Sequence, residues 1–254
     1  MTAALAYIVG GAVLALAGLA GAGPAALAFV FALVILRLLI PRVFVDTFDE
    51  LTLSVFLYSG LAALAGTLLA AQYGSGEAGS ANYLAPIVGL IVFVSVSVQL
   101  IGLGKKGNVV RTLSTVVSLS VIGAAGTLWV PLSRASFLRL PFLAGLALII
   151  SGLVISRHEA DFSNWRSKVR AGLELLLAPL VALLVARFVL DSVNLVLAFS
   201  TGVVVALCSL TSLLLVRTRD FSGGLDASSA LVAVVLAVFL SAGPVFAVAS
   251  IVVG

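Results

Sequence analysis

A single cysteine and a single histidine stand in this 254-residue chain, and each count closes off chemistry. Cys208 alone can form no intrachain disulfide and no thiolate cluster for a metal or an iron–sulfur centre. His158 sits in the charged stretch SRHEADF, so a haem held between two histidines is excluded by count. Lys105, Lys106 and Lys168 all fall in connections, which leaves no lysine inside a helix for a retinal-type Schiff base. No cofactor is expected. GxSxG, P-loop and HExxH patterns are missing too. Asp46, Asp49 and Glu50 come closest to a carboxylate cluster, but they sit where a helix start attracts acids through its dipole, and any metal binding there would be nonspecific.

Charge is the second scarcity. Charged residues make up 9% of the chain and hydrophobic ones 62%, whereas ordinary soluble domains carry about 25% charged residues. A soluble fold of this length could not hide so much apolar surface, so lipid must be the solvent for most of it. Spanning segments must then satisfy their own backbone as helices or as a closed barrel. The apolar runs are continuous and do not alternate with period two, which selects helices. The fold class expected is all-α: a polytopic helical membrane bundle in one transmembrane domain, residues 1–254, with no soluble domain. The net charge of +4 is dispersed over short connections and forms no basic face, so nucleic acid is not an expected partner.

Nine spans are expected, within a range of eight to ten: Ala3–Ala20, Pro24–Ile40, Leu51–Ala71, Tyr83–Leu103, Val109–Val130, Phe137–Ile155, Val169–Leu190, Val193–Val216 and Ser228–Val248. The first two are either a hairpin or one helix. A single helix through Ile40 would be about 57 Å long against a hydrocarbon core of about 30 Å, which favours a hairpin turning at Gly21, Gly23 and Pro24. The first run has no basic n-region and reads as a retained helix, not a signal peptide. AGP at Ala22–Pro24 returns at Ala242–Pro244. In so glycine-rich a chain three small residues do not establish an inverted repeat, and the plainer expectation is a turn at the first and a proline kink at the second.

Basic residues orient the bundle. With nine spans, eleven of the fourteen lie on one side, leaving Arg134, Arg139 and Arg187 on the other. Short cytoplasmic loops collect positive charge, so the amino terminus is expected in the cytoplasm of a cell-membrane protein. The usage of alanine, valine, leucine and arginine over lysine is of the kind a GC-rich prokaryotic genome encodes. The orientation is testable: in a Cys208→Ser background, an impermeant thiol reagent on intact cells should label Glu77→Cys and spare Lys105→Cys. Labelling at 105 alone would overturn the topology.

The connection SRHEADFSNWRSKVR places Phe162 and Trp165 three apart among charges, which suits a short interfacial helix or a solvated loop. Small residues four apart, Ser59 with Ala63, Ala62 with Gly66, Ser120 with Ala124, and Ala147 with Ser151, read as packing positions.

A charge inside a span invites a functional reading, at a cost of about 2.5 to 3.5 kcal/mol at mid-bilayer. Glu174 lies five residues into Val169–Leu190, about 7.5 Å along the axis, with Arg170 one turn earlier on the same face. Arg187 and Asp191 repeat the spacing at the other end. One reading is a pair of interfacial ion pairs. In the other, Glu174, Arg37, Gln99, Ser95, Ser114 and Ser118, all in the cytoplasmic halves of their helices, line a polar vestibule. Pro179 would add a freed carbonyl at Leu175. The counter-expectation for the serines is bonding to their own helix carbonyls. The leading function expected is transport of a small solute or ion. The alternative is a non-catalytic subunit that packs against other membrane subunits, and a membrane-embedded enzyme comes third.

Overall fold

Backbone amides in lipid have no partner but one another, and every element among the described residues of the computed structural model is a helix. The structure describes residues 2–44, 50–73, parts of 89–97, 109–133, 139–158, 165–190, 193–217 and 226–253. The helices are α1 (Thr2–Leu19), α2 (Ala22–Val43), α3 (Glu50–Tyr73), α4 (Val109–Gly126), α5 (Trp129–Leu132), α6 (Arg139–His158), α7 (Trp165–Leu175), α8 (Leu177–Phe188), α9 (Leu195–Arg217) and α10 (Ala227–Val253). The chain is an all-α membrane bundle. Six described stretches are long and apolar enough to cross a bilayer: α2, α3, α6, α9, α10 and the run Leu113–Leu132 that joins α4 to α5. α1 is a shorter apolar helix. Most of the expected span Tyr83–Leu103 lies outside the described residues.

The hairpin expectation holds. α1 ends at Leu19, α2 begins at Ala22, and Gly21 between them has φ +103°, a backbone that L side chains rarely adopt. Pro24 falls in the first turn of α2, where its missing N–H costs nothing. The second AGP behaves differently, because Pro244 sits inside α10, which continues to Val253.

Val169–Leu190 departs from the expected single span. It divides into α7 and α8 at Leu176, whose N–H turns to the Leu173 carbonyl in a tighter turn. Pro179 supplies the reason: it has no N–H for the Leu175 carbonyl, and its ring crowds that oxygen. The backbone of α9 fits against this point at Gly202, where a Cβ would come within 2.4 Å of Pro179 Cα. Pro131 has a similar effect between α4 and α5, where Thr127 and Leu128 form turns.

Glycine decides how closely α1 approaches α6. A Cβ on Gly145 would lie 2.4 Å from the Gly11 carbonyl oxygen, and one on Gly11 would lie 2.5 Å from that of Gly145. Gly18 faces Pro141 and Gly152 faces Tyr7, so the two helices run antiparallel. Such contact matters in lipid, where van der Waals packing replaces the hydrophobic drive between helices. Tyr7, fully buried, donates its hydroxyl hydrogen to the Ser209 carbonyl at 3.4 Å and ties α1 to α9. α2 and α3 are antiparallel, pairing Leu33 with Gly60 and Arg37 with Glu50. Of the four small-residue pairs, three are buried as expected, but Ala62 is exposed. Helix rotation decides this, and spacing alone does not report it.

These pairings bring the start of α1, the end of α2, the start of α3 and the end of α6 to one end of the bundle. The α1–α2 turn and the start of α6 lie at the other, here the turn end. Arg139 donates to the Leu190 carbonyl at 2.7 Å, which puts the end of α8 and the start of α9 at the turn end as well. Arg37, Arg42, Arg157 and Arg217 thus lie at the first end, and Arg139 and Arg187 at the turn end, the alternation read from the sequence.

At the start of α10, Asp226 accepts from the Ser229 amide at 3.0 Å as an N-cap. Hydrogen bonds from Ser229 hold its carboxyl below the usual carboxylate range. The depressed folded-state value means that the cap stabilises above the unfolded pKa of about 3.9 and weakens as pH falls through the folded pKa. Because the site is exposed, Asp226→Ala should cost no more than about 1 kcal/mol near neutral pH, and less in acid, where the carboxyl is protonated. Thermal unfolding in detergent at both pH values checks this.

Candidate functional site

The two charged members of the expected polar set each have a local partner. Arg37 on α2 pairs with Glu50 in the first turn of α3. Glu174 meets Arg170 across one turn of α7 at 3.4 Å; the Glu174 side chain is 24% exposed and that of Arg170 73%. Ser114 and Ser118 are both exposed on α4. Ser95 and Gln99 lie outside the described residues, as does Asp191 of the second expected pair. Among the described residues α2 packs mainly on α1, α3, α5 and α10, whereas α7 packs mainly on α6 and α8. The ion pair expected between Arg170 and Glu174 from their spacing of four is present. Such a pair contributes no more than about 1 kcal/mol, so Glu174→Gln and Arg170→Gln should lower the unfolding midpoint in detergent alike and slightly. A far larger loss from Glu174→Gln would contradict this.

Buried polar side chains among the described residues are all serines and threonines. Most bond back to their own helix, as Ser151 does to the Ala147 carbonyl at 2.7 Å and Thr201 to that of Leu197 at 2.8 Å. Thr67 on α3 also meets Thr127, in the turn between α4 and α5, at 3.2 Å. Among the described residues these hydroxyls are thus largely engaged and leave little polar capacity for a hydrated solute.

A cavity opens elsewhere, between α1 and α2. The hairpin splays from its turn, leaving a cleft of about 600 Å³, within the usual range of small-molecule sites. Val9, Val13 and Leu14 form one wall, Ala28 and Phe31 the other, and α10 the floor through Val234, Val238 and Phe239. Phe239 stacks on Phe29 with ring centroids 5.1 Å apart, which closes the deep side. The polar side-chain groups in the lining are already engaged: Trp129 Nε1 donates to the Val238 carbonyl at 2.8 Å and Ser133 Oγ to the Trp129 carbonyl at 2.7 Å. Water would find few partners here. The outer edge is open, since Leu27 is 63% and Phe31 69% exposed.

Sequence reading missed this cleft. Ala6, Gly10, Ala17 and Gly18 on α1 were its only trace, and small residues at such spacing equally mark close packing; Gly10 and Gly18 do both. No family, curated protein or solved structure matches the chain, so its reading rests on the cleft and the bundle that forms it.

Proposed function

We propose that this membrane protein is a transporter whose small solute is mainly apolar and reaches its site from the bilayer. The cleft between α1 and α2 carries this reading: its size suits a small molecule, its wall is apolar, and its open edge is lined by exposed apolar side chains. An ion is a poorer fit, because replacing its hydration shell in the interior requires strong partners. The buried polar side chains described are hydroxyls. Native mass spectrometry of the full chain released from detergent tests the binding step, offering a long-chain alcohol, an isoprenoid alcohol and an aromatic quinone in turn. At least one should be retained one-to-one, and Ala28→Phe, which fills the cleft, should abolish retention without lowering the unfolding midpoint. No retained solute, or retention unchanged by Ala28→Phe, would reject the reading.

A non-catalytic subunit is the second reading, and it draws on α3, where Ala62 and Ala65 are exposed beside Leu61 and Leu69. Small residues on a lipid-facing surface let another helix approach closely. Ala62→Leu should then disrupt co-purification with a membrane partner and leave solute retention unchanged.

A further inference from the structure

We infer that α7 is a headgroup-binding surface: its exposed basic and apolar side chains, beside Arg157 at the end of α6, hold an anionic phospholipid of the leaflet at the first end of the bundle. The surface lies apart from the cleft and does not depend on what the cleft binds.

Height comes first. Arg139 at the start of α6 donates to the Leu190 carbonyl, which levels the two stretches at the turn end. From there Arg157 lies eighteen residues along α6, about 27 Å, and Arg170 lies twenty residues back along α8 and α7, at most about 30 Å. A hydrocarbon core is about 30 Å thick, so both arginines reach the opposite headgroups. Both are exposed, and they stand on helices that pack together.

Composition sets α7 apart from α8. The stretch from Trp165 to Leu175 includes Arg166, Lys168, Arg170 and Glu174, too much charge for hydrocarbon. Yet it is not a helix made for water. Val169, Leu173 and Leu176, spaced four and three apart, are all exposed, whereas Leu175 is buried against the bundle. An apolar stripe flanked by basic residues matches the lipid–water boundary, which supplies hydrocarbon on one side and phosphate on the other. An acidic protein segment would supply only the charge.

Arg170 is the residue that recognises the headgroup. One residue from Val169 and three from Leu173, it borders the stripe and is exposed. Its contact with Glu174 runs through Nε and leaves the N–H groups of both terminal nitrogens outside that contact, a fork that suits a phosphate. Glu174 competes with the lipid for this guanidinium. Glu159 and Asp161, outside the described residues, lower the net charge of the preceding connection, so the attraction is local to α7.

The full chain carrying Cys208→Ser and Leu173→Cys, labelled with a fluorophore and reconstituted in bilayers, tests this by quenching with phosphatidylglycerol or phosphatidylcholine brominated on the acyl chains. Phosphatidylglycerol should bind beside position 173 several-fold more tightly than phosphatidylcholine. A label at Leu184→Cys, on the exposed side of α8 toward the turn end, should show no preference. Salt at about 1 M, where the screening length is about 3 Å, should remove most of the preference at 173. Arg170→Gln should abolish it, and Glu174→Gln should raise it by freeing the guanidinium. Arg42→Gln, an equal loss of charge at the same end on α2, should leave it unchanged. Equal quenching by the two lipids at 173, a preference that survives Arg170→Gln, or equal losses from Arg170→Gln and Arg42→Gln would each overturn the inference. So would displacement of phosphatidylglycerol from 173 by soluble polyglutamate, which would assign the surface to an acidic protein segment.

Discussion

Gly145→Leu should remove a large share of the stability of the bundle. The Cβ position of Gly145 lies 2.4 Å from the Gly11 carbonyl oxygen, 2.8 Å from Ala15 Cβ and 3.1 Å from the Ala15 amide nitrogen. Two of these three atoms are backbone, so no rotamer change relieves the clash and α1 must move away from α6. Overpacking a core commonly costs about 1–3 kcal/mol. A backbone clash should reach the top of that range or pass it, because separating the helices also loosens Gly18 from Pro141 and Tyr7 from Gly152. Against a total of about 5–15 kcal/mol this is a large share. The midpoint should fall by about 6 °C or more, at about 2–4 °C per kcal/mol for a chain of this size. Gly172→Ala is the control: nothing lies within 4 Å of a Cβ there, and the change should be neutral or stabilise α7. Circular dichroism during heating in detergent reads both, and an unchanged midpoint for Gly145→Leu would show that α1 does not sit against α6.

Trp129→Ala should be at least comparably damaging, and Trp129→Phe should not. Trp129 is 4% exposed and reaches from α5 to α10 through its indole N–H. Truncation to alanine removes the ring at the head of the cleft and leaves a void, for which losses of about 3–5 kcal/mol are typical. Phenylalanine keeps most of the ring and loses the hydrogen bond. That loss should be about 1 kcal/mol, because the Val238 carbonyl still accepts from Ser241 Oγ at 3.0 Å and is not orphaned. The ratio of the two effects separates packing from hydrogen bonding. Similar losses from both variants would mean that the indole N–H, not the ring volume, holds α5 on α10.

Local features were legible in the residues alone. Composition and the length of the apolar runs required a helical membrane bundle. Gly21, Gly23 and Pro24 marked the hairpin because one helix through Ile40 would outrun the bilayer. The Arg170–Glu174 pair followed from a spacing of four, and the self-bonded hydroxyls from the reach of serine and threonine to the preceding turn. Pro179 announced a freed carbonyl at Leu175, but not that α7 and α8 would separate there.

Tertiary structure alone decided which faces meet. It paired Arg37 with Glu50, thirteen residues away, buried Ser59 while exposing Ala62, and splayed α1 from α2 to open the cleft. In a soluble bundle the polar stripe of each helix would have revealed its outer face. Here both the lipid-facing side and the core-facing side of a helix are apolar, so periodicity carries almost no record of rotation about the axis. That rotation is set by where glycine lets backbones touch, and both sides of such a contact, Gly11 against Gly145, become visible only when α1 and α6 are brought together.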